Sequence, residues 1–199
     1  MRSVTPKSGA YRSGEQLLER HLNGDREAFP ELIRTYRIRV YSYLVRCGVD
    51  NASRDDLFQD VFLAIHRGAP SYDLTRPLTP WLFTIVTNKV RDHFRKNARS
   101  PLDLLDGGDN DPPSAMSNAY EILEASETAI WLEQAVENLP LRQREAVILC
   151  CINNMKQDEA AQALGIPLNT LKSLLRSARL SLVKALLARE SHAHKEITQ

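Results

Sequence analysis

Residues 79–96 read TPWLFTIVTNKVRDHFRK. At about 100° per residue, Leu82, Phe83, Val86, Val90 and Phe94 gather on one face of a helix, while Trp81, Thr84, Asn88, Arg91 and Arg95 line the opposite face. Thr79 is suited to the N-cap and Pro80 to the first helical position, where its missing N–H costs nothing, so the helix presents Trp81 at its start. The outer face is an aromatic, a hydroxyl, an amide and two guanidiniums. Charge for phosphates beside an aromatic for a base suits a nucleic-acid strand. An ordinary solvated basic face shares this pattern, so the rest of the chain has to decide.

Upstream lies GAPSYDLTRPL, residues 68–78, with prolines at 70 and 77. A loop of about a dozen residues inside a compact helical domain is usually functional. It enters beside Trp81 and brings Ser71, Tyr72, Asp73 and Arg76 as donors and acceptors. Before it, Ser53-Arg54-Asp55-Asp56 approximates a capping box for a helix over Arg54 to His66. Leu57, Phe58, Val61, Phe62 and Ile65 form its core face, and Asp56, Gln59, Asp60 and Leu63 recur outside at i, i+3, i+4 and i+7. A leucine among exposed acidic and amide residues fits a protein-docking stripe, and equally a solvated acidic face with one stray apolar residue. A nuclease metal site is a third reading. Against it, Asp55 and Asp56 diverge by about 100° on a helix, and Asp56 with Asp60 find no third ligand on that face, so no metal is expected.

From Glu15 to Val49 apolar residues again recur at helical spacing, broken at Asn23-Gly24-Asp25; Arg34, Arg37 and Arg39 read as a solvated face. Residues 1–13 are polar and aperiodic, a disordered tail. Residues 97–117 hold three prolines, two glycines and four aspartates without a period, which predicts a flexible acidic linker. Helices are expected over Asn118–Asn138 and Leu141–Ile152. Lys156–Leu164, the turn Gly165-Ile166-Pro167, and a helix from Leu168 to about Leu187 then read as helix-turn-helix. Leu171, Leu175, Ala178 and Leu182 face inward in the second helix, and Asn169, Lys172, Ser173 and Arg176 face out. Those four residue types reach base edges and phosphates in a major groove, although packed helical hairpins share the spacing. The tail from Ala188, with His192 and His194, reads as disordered and not as a metal site.

The fold class expected is all-α: two small helical domains, 14–96 and 118–187, joined by the acidic linker, the second containing the helix-turn-helix. The 199 residues carry a formal net charge of +1 and 43% hydrophobic residues. Charge is uneven: 17 basic against 11 acidic residues in 1–100, none against 8 in 101–133, and 9 against 6 in 134–199. Two basic blocks flanking an acidic middle suggest two surfaces for a polyanion. The first residues lack the apolar core of a signal peptide and the longest apolar run, Ala146–Ile152, is too short to span a bilayer, so a cytoplasmic protein without membrane insertion is expected. Cys47, Cys150 and Cys151 offer neither a disulfide framework nor a CxxC knuckle and read as buried small hydrophobes.

Together these motifs resemble the extracytoplasmic-function (ECF) sigma factors of bacterial RNA polymerase, over roughly Leu17 to Leu187. Asp55-Asp56-Leu57-Phe58-Gln59-Asp60-Val61-Phe62 resembles the family's polymerase-docking motif, Pro80-Trp81-Leu82 through Arg95 its promoter-melting helix, and Leu139-Pro140 through Arg144-Glu145 the start of its second domain. Glu159–Gly165 and Thr170–Arg179 resemble its helix-turn-helix. The resemblance implies that Asp56, Gln59, Asp60 and Leu63 face core RNA polymerase. It implies that Ser71, Tyr72, Asp73, Arg76, Trp81, Thr84, Asn88, Arg91 and Arg95 handle the minus-10 element and the melted strand, and that Asn169, Thr170, Lys172, Ser173, Arg176 and Arg179 read the minus-35 element. It further implies promoter DNA and an anti-sigma factor as partners, no cofactor and no catalysis. The chain departs from the family where Gly-Thr-Val-Lys-Ser-Arg is replaced by Asn169-Thr170-Leu171-Lys172-Ser173-Leu174, which removes one arginine from the DNA face, and where Ala160 replaces an isoleucine. The alternative is a stand-alone helix-turn-helix regulator that binds duplex DNA without polymerase; it leaves the Trp81 and Asp56–Leu63 faces unexplained.

Overall fold

The computed structural model describes residues 14–97 and 127–196, and these are helices and short connections without a strand. The expected tail 1–13, nearly all of the linker and residues 118–126 lie outside the described residues. The first domain is α1 (Gly14–Leu22), α2 (Ala28–Arg46), α3 (Asn51–Gly68) and α4 (Leu78–Asn97), with a 3₁₀ turn at Ala69–Ser71. The second is α5 (Glu127–Glu137), α6 (Leu141–Val147), α7 (Gln157–Leu164) and α8 (Leu168–Glu196).

Helix α4 is the centre of the fold. Leu82, Phe83, Val86 and Val90 are fully buried in a helix that packs on α1, α2 and α3 and, most extensively, on a helix of the second domain, α7, each contributing roughly 1.5–3 kcal/mol of transfer free energy. Its start differs from expectation. The helix begins at Leu78, so Thr79 is not the N-cap, and the Leu78 N–H donates to the Glu15 carboxylate of α1 at 2.6 Å. A carboxylate at a helix N-terminus meets both an orphan donor and the positive end of the dipole. Thr79 instead shares a hydrogen bond with the Tyr36 hydroxyl at 3.1 Å. Pro80 is then the third helical residue, still inside the turn whose N–H groups have no partner within the helix.

Helix α3 also starts earlier than its capping box implied. Asp50, in extended conformation, is the N-cap and its carboxylate accepts from the Ser53 N–H at 3.0 Å; Ser53 is therefore the third residue of the helix. This start lets Arg54 fold back under the helix, where its Nε donates to the Val49 carbonyl at 2.8 Å.

In the second domain, the helix expected over Leu141–Ile152 widens after Val147 into a π turn, Ile148–Ile152. Of the cysteines, Cys47 is buried, Cys150 half-buried and Cys151 exposed. The expectation of buried small hydrophobes fails for Cys151 because the wider turn rotates it away from the core. Burial holds the Cys47 thiol far above its ordinary range and, with a smaller effect from Cys151, pushes Cys150 up to about 11. Gly165 ends α7 in the left-handed region (φ 63°, ψ 35°), with the Ile166 N–H returning to the Ala161 carbonyl at 3.0 Å. This is the turn of the helix-turn-helix. Helix α8 continues to Glu196, past the expected boundary at Leu187: no glycine or proline follows Pro167 to stop it.

The two domains share one continuous core, with Ala160, Ala163 and Leu164 of α7 seated on α4. Polar contacts fasten the same seam. The Thr87 hydroxyl donates to the Ala163 carbonyl at 2.8 Å, Arg39 reaches the side chain and carbonyl of Asn153 at 3.2 and 3.0 Å, and Arg144 donates to the Arg46 carbonyl at 3.2 Å.

Candidate partner and nucleic-acid surfaces

The α3 stripe stands as one exposed row. Asp56, Gln59 and Asp60 are exposed and Leu63 is 50% exposed, while Leu57, Val61, Phe62 and Ile65 beneath them are buried. Only Asp60 has a charged neighbour, Lys89 of α4, at 3.5 Å. Leu63 is left half-exposed among the described residues, which distinguishes it from the buried Leu57 of the same helix. Phe58 is only half-buried, edge-on to Tyr41.

The loop before α4 braces itself. Asp73 accepts from the Thr75 N–H at 3.0 Å and the Thr75 hydroxyl at 2.7 Å, and Arg76 lies 3.3 Å away. The Thr75 hydroxyl is the main reason the Asp73 carboxyl is held below its usual range. Ser71 donates to the Gly68 carbonyl at 2.8 Å, and the Tyr72 hydroxyl closes on the Arg76 carbonyl. Burial pushes the Tyr72 phenol up to about 12. The Tyr72 ring lies 4.6 Å from Trp81, centroid to centroid, and Trp81 also rests on Gly68, where a Cβ would come within 3.1 Å of the indole. Trp81 is thus a half-buried wall with a tyrosine against it, and not the freely presented ring that helical periodicity suggested.

Farther along α4 the expected outer row divides. Asn88 and Arg95 are exposed, with Arg95 paired to Asp92 at 2.9 Å. Thr84 is half-buried and its hydroxyl turns back to the Pro80 carbonyl at 2.9 Å. Arg91 is engaged by the second domain: it donates to the Leu164 carbonyl at 2.8 Å and to Glu145 at 3.1 Å. In this arrangement the row is therefore not an open surface. Periodicity shows which face leaves a domain's own core but not what another domain lays over it.

Sequence reading missed Glu145, which has 0% exposure and also accepts from the Tyr43 hydroxyl at 3.2 Å. The available signal was a carboxylate immediately before an apolar run, a placement that demands a buried partner.

On α8, Asn169, Thr170, Lys172, Ser173, Arg176 and Arg179 are all exposed, while Leu171 and Ala178 are fully buried. Ser173 spends its hydroxyl on the Asn169 carbonyl at 3.0 Å, so the charged reach of this face comes from Lys172, Arg176 and Arg179. Arg179 also stands at the lip of an apolar groove of about 670 Å³ lined by Trp131, Leu132, Cys150 and Leu182. Among the described residues no three His, Cys, Asp or Glu side chains cluster as a metal site, and no helix is long and apolar enough to cross a membrane.

These surfaces coincide with known sequence families. Residues 32–100, from α2 through α4, match Sigma-70 region 2, and residues 129–182, carrying the helix-turn-helix, match Sigma-70 region 4. An ECF RNA polymerase sigma factor, SigM of Mycobacterium tuberculosis, is 30% identical over 178 residues, spanning 88% of this chain and 85% of SigM. The chain belongs to the ECF sigma factors of RNA polymerase. As an ECF sigma factor it directs promoter-specific transcription, and the stand-alone regulator is set aside. The ECF RNA polymerase sigma factor RpoE of Cereibacter sphaeroides is 30% identical over 156 residues, 77% of this chain and 83% of its own. Two solved structures share the fold: CnrH in complex with the cytosolic domain of CnrY (TM-score 0.65, 24% identity, 89% of this chain and 99% of that one) and RpoE of Bartonella quintana with the anti-sigma factor NepR (TM-score 0.65, 23% identity, 79% and 96%). CnrH itself comes from Cupriavidus metallidurans.

Proposed function

We propose that this sigma factor docks on core polymerase through Asp56, Gln59, Asp60 and Leu63, captures the melted non-template strand of the minus-10 element with the 68–79 loop and Trp81, and reads the minus-35 element with α8. The observation that carries the reading is the wall formed by Tyr72 and Trp81. An aromatic pair sits at the mouth of a loop whose turn is fixed by Asp73 and Thr75, next to the exposed cation Arg76. Unstacking a base costs roughly a few kcal/mol, and stacking on an aromatic with hydrogen bonds to the base edge offsets it. A loop already held by its own hydrogen bonds loses less entropy on capture. On α8, three cations over two turns supply the phosphate and base-edge contacts that duplex recognition needs.

The polymerase places the protein in the cytoplasm. An anti-sigma protein is the inhibitor expected here, as CnrY and NepR are found with the relatives of like fold. The test is transcription of a genomic promoter library by core polymerase with and without this chain, followed by fluorescent base analogues at each minus-10 position. Signal that depends on the chain and on Trp81 supports strand capture; open complexes that form normally without the indole refute it.

A further inference from the structure

The loop that leads into Trp81 is held from outside its own sequence. Helix α1 packs both on the 3₁₀ turn Ala69–Ser71, where the loop begins, and on α4, where it ends. At the second point the fit is close. Gly14 is buried, and a Cβ there would come within 2.6 Å of the Tyr36 hydroxyl and 2.9 Å of the Leu78 side chain. A larger residue would have to displace one of them, so the start of α1, Tyr36 and Leu78 are packed without slack.

Hydrogen bonds meet at the same junction. The Leu78 N–H donates to the Glu15 carboxylate at 2.6 Å, and the Thr79 and Tyr36 hydroxyls share a bond at 3.1 Å. Leu78 is fully buried, so its N–H depends on a protein acceptor, and Glu15 supplies it from α1. The carboxylate is also felt farther into the loop. Burial is the larger cause that raises Tyr72 and Tyr36, and the Glu15 charge pushes both in the same direction. Tyr72 is the ring that lies 4.6 Å from Trp81. Trp81 itself stands in the first turn of α4, so tying the Leu78 N–H sets where that helix begins and where the indole meets Tyr72.

We propose that Glu15 is a positioning residue for strand capture: acting through the Leu78 N–H, it sets the spacing of the Tyr72–Trp81 wall and thereby which base the loop accepts in the minus-10 element. The proposal rests on the promoter reading of the loop and Trp81, and it assigns part of the loop's selectivity to α1. Glu15 contacts no base in this assignment. Its effect is geometric, because a loop fixed at its end loses less entropy when a strand is captured and tolerates fewer shapes of base.

The test compares the full-length protein with three variants at one position. Glu15→Gln keeps the reach and an acceptor oxygen without the charge, Glu15→Asp keeps the charge but draws the acceptor back by one methylene, and Glu15→Ala removes both. Leu44→Val, about two turns along α2 from Tyr36, controls for a general loss of stability. Each is assembled with core polymerase, and base-analogue fluorescence and selection from a promoter randomised in the minus-10 element are read beside minus-35 preference and thermal melts. Loss of a helix cap disfavours the capped form by about fivefold. Glu15→Ala and Glu15→Asp should therefore weaken the fluorescence signal about fivefold and shift base preference at one or two minus-10 positions, with minus-35 preference unchanged. Glu15→Gln should stay near wild type, and Leu44→Val should melt lower without a shift in preference. Wild-type minus-10 profiles for both the Ala and the Asp variant overturn the proposal. So does a Gln variant as altered as alanine, or a Leu44→Val protein with the same shift. Trp81→Ala separates the two levels: normal opening without the indole removes the strand-capture reading and this proposal with it, whereas a lost signal beside unaffected Glu15 variants removes only the role of Glu15.

Discussion

Replacing Leu63 by Lys tests the docking row, and the structure sets its scale. Leu63 is 50% exposed, so about half of its roughly 2 kcal/mol of transfer free energy is already gained on folding and about 1 kcal/mol is left for a partner to gain. The folded state should lose no more than about 1 kcal/mol, because the stem of a lysine can lie along the same surface while its ammonium reaches water. At an interface the ammonium must instead be desolvated, adding an expected 1–3 kcal/mol to the lost leucine contact. The sum, about 2–4 kcal/mol, is a weakening of roughly 30- to 700-fold. The assay is competition of unlabelled variant against labelled wild type for core polymerase, with far-UV dichroism and a thermal melt as controls on the fold. A Leu63→Lys protein that melts near wild type and competes equally well would refute the assignment of α3 as the docking surface.

The remaining expectations bear on DNA and on acid. Arg176→Ala should cost about 1–3 kcal/mol in minus-35 binding, relaxing preference at one position if it reads a base and weakening every sequence alike if it holds phosphate; binding to a minus-35 library separates the two, and no effect on any sequence removes α8 from the interface. Trp81→Ala should leave closed-complex binding intact while slowing base-analogue signal at one or two minus-10 positions, by about 1–3 kcal/mol for one lost stack. Exchanging residues 68–79 for those of another ECF sigma factor should change the minus-10 preference and leave minus-35 preference alone, as measured by selection from a randomised promoter. Burial first, and His66 beside it second, lower the His21 value from its ordinary 6.5. The unfolded chain then binds the proton more readily, so stability should be full above about pH 6.5 and fall as the pH drops below it; melting curves of His21→Gln should show a shallower fall, and an identical pH profile would exclude His21 as its source.

Helical periodicity carried most of the architecture. Of the apolar row, Leu82, Phe83, Val86 and Val90 lie fully buried as their spacing implied and Phe94 at its end is half-buried, while the α3 and α8 rows sit outside their own cores. Those features are local, fixed by 3.6 residues per turn and by which side chains avoid water. What escaped the sequence was set by a distant partner in one helix and by a choice between two local caps in another. The cap of α4 is Glu15, 63 residues away, and no local pattern could prefer it to Thr79. Asp50 and Ser53 were both chemically competent caps for α3, and the choice fell to the start that also lets Arg54 reach the Val49 carbonyl.

Arg91 shows where legibility has a physical limit. Its position on the outer face of α4 follows from periodicity, but a helix face outside one core can be covered by another domain. The clue lay 54 residues downstream in Glu145, a carboxylate whose charged neighbour from its own domain, among the described residues, is Arg142 at 3.7 Å. A buried charge is a demand for a partner, and an exposed-looking arginine is an offer of one. Sequence alone cannot match them because the Coulomb term depends on distance, which only the packing of the second domain, α6 and α7 together, against α4 sets. The same pairing explains why an arginine suited to phosphate is also suited to this buried contact: both ask for a planar, permanently charged donor that can bind two oxygens. Arg91 uses two separate nitrogens for the two oxygens, Nη1 for the Leu164 carbonyl and Nη2 for Glu145, whereas a lysine would bring a single ammonium to both and lose that fork.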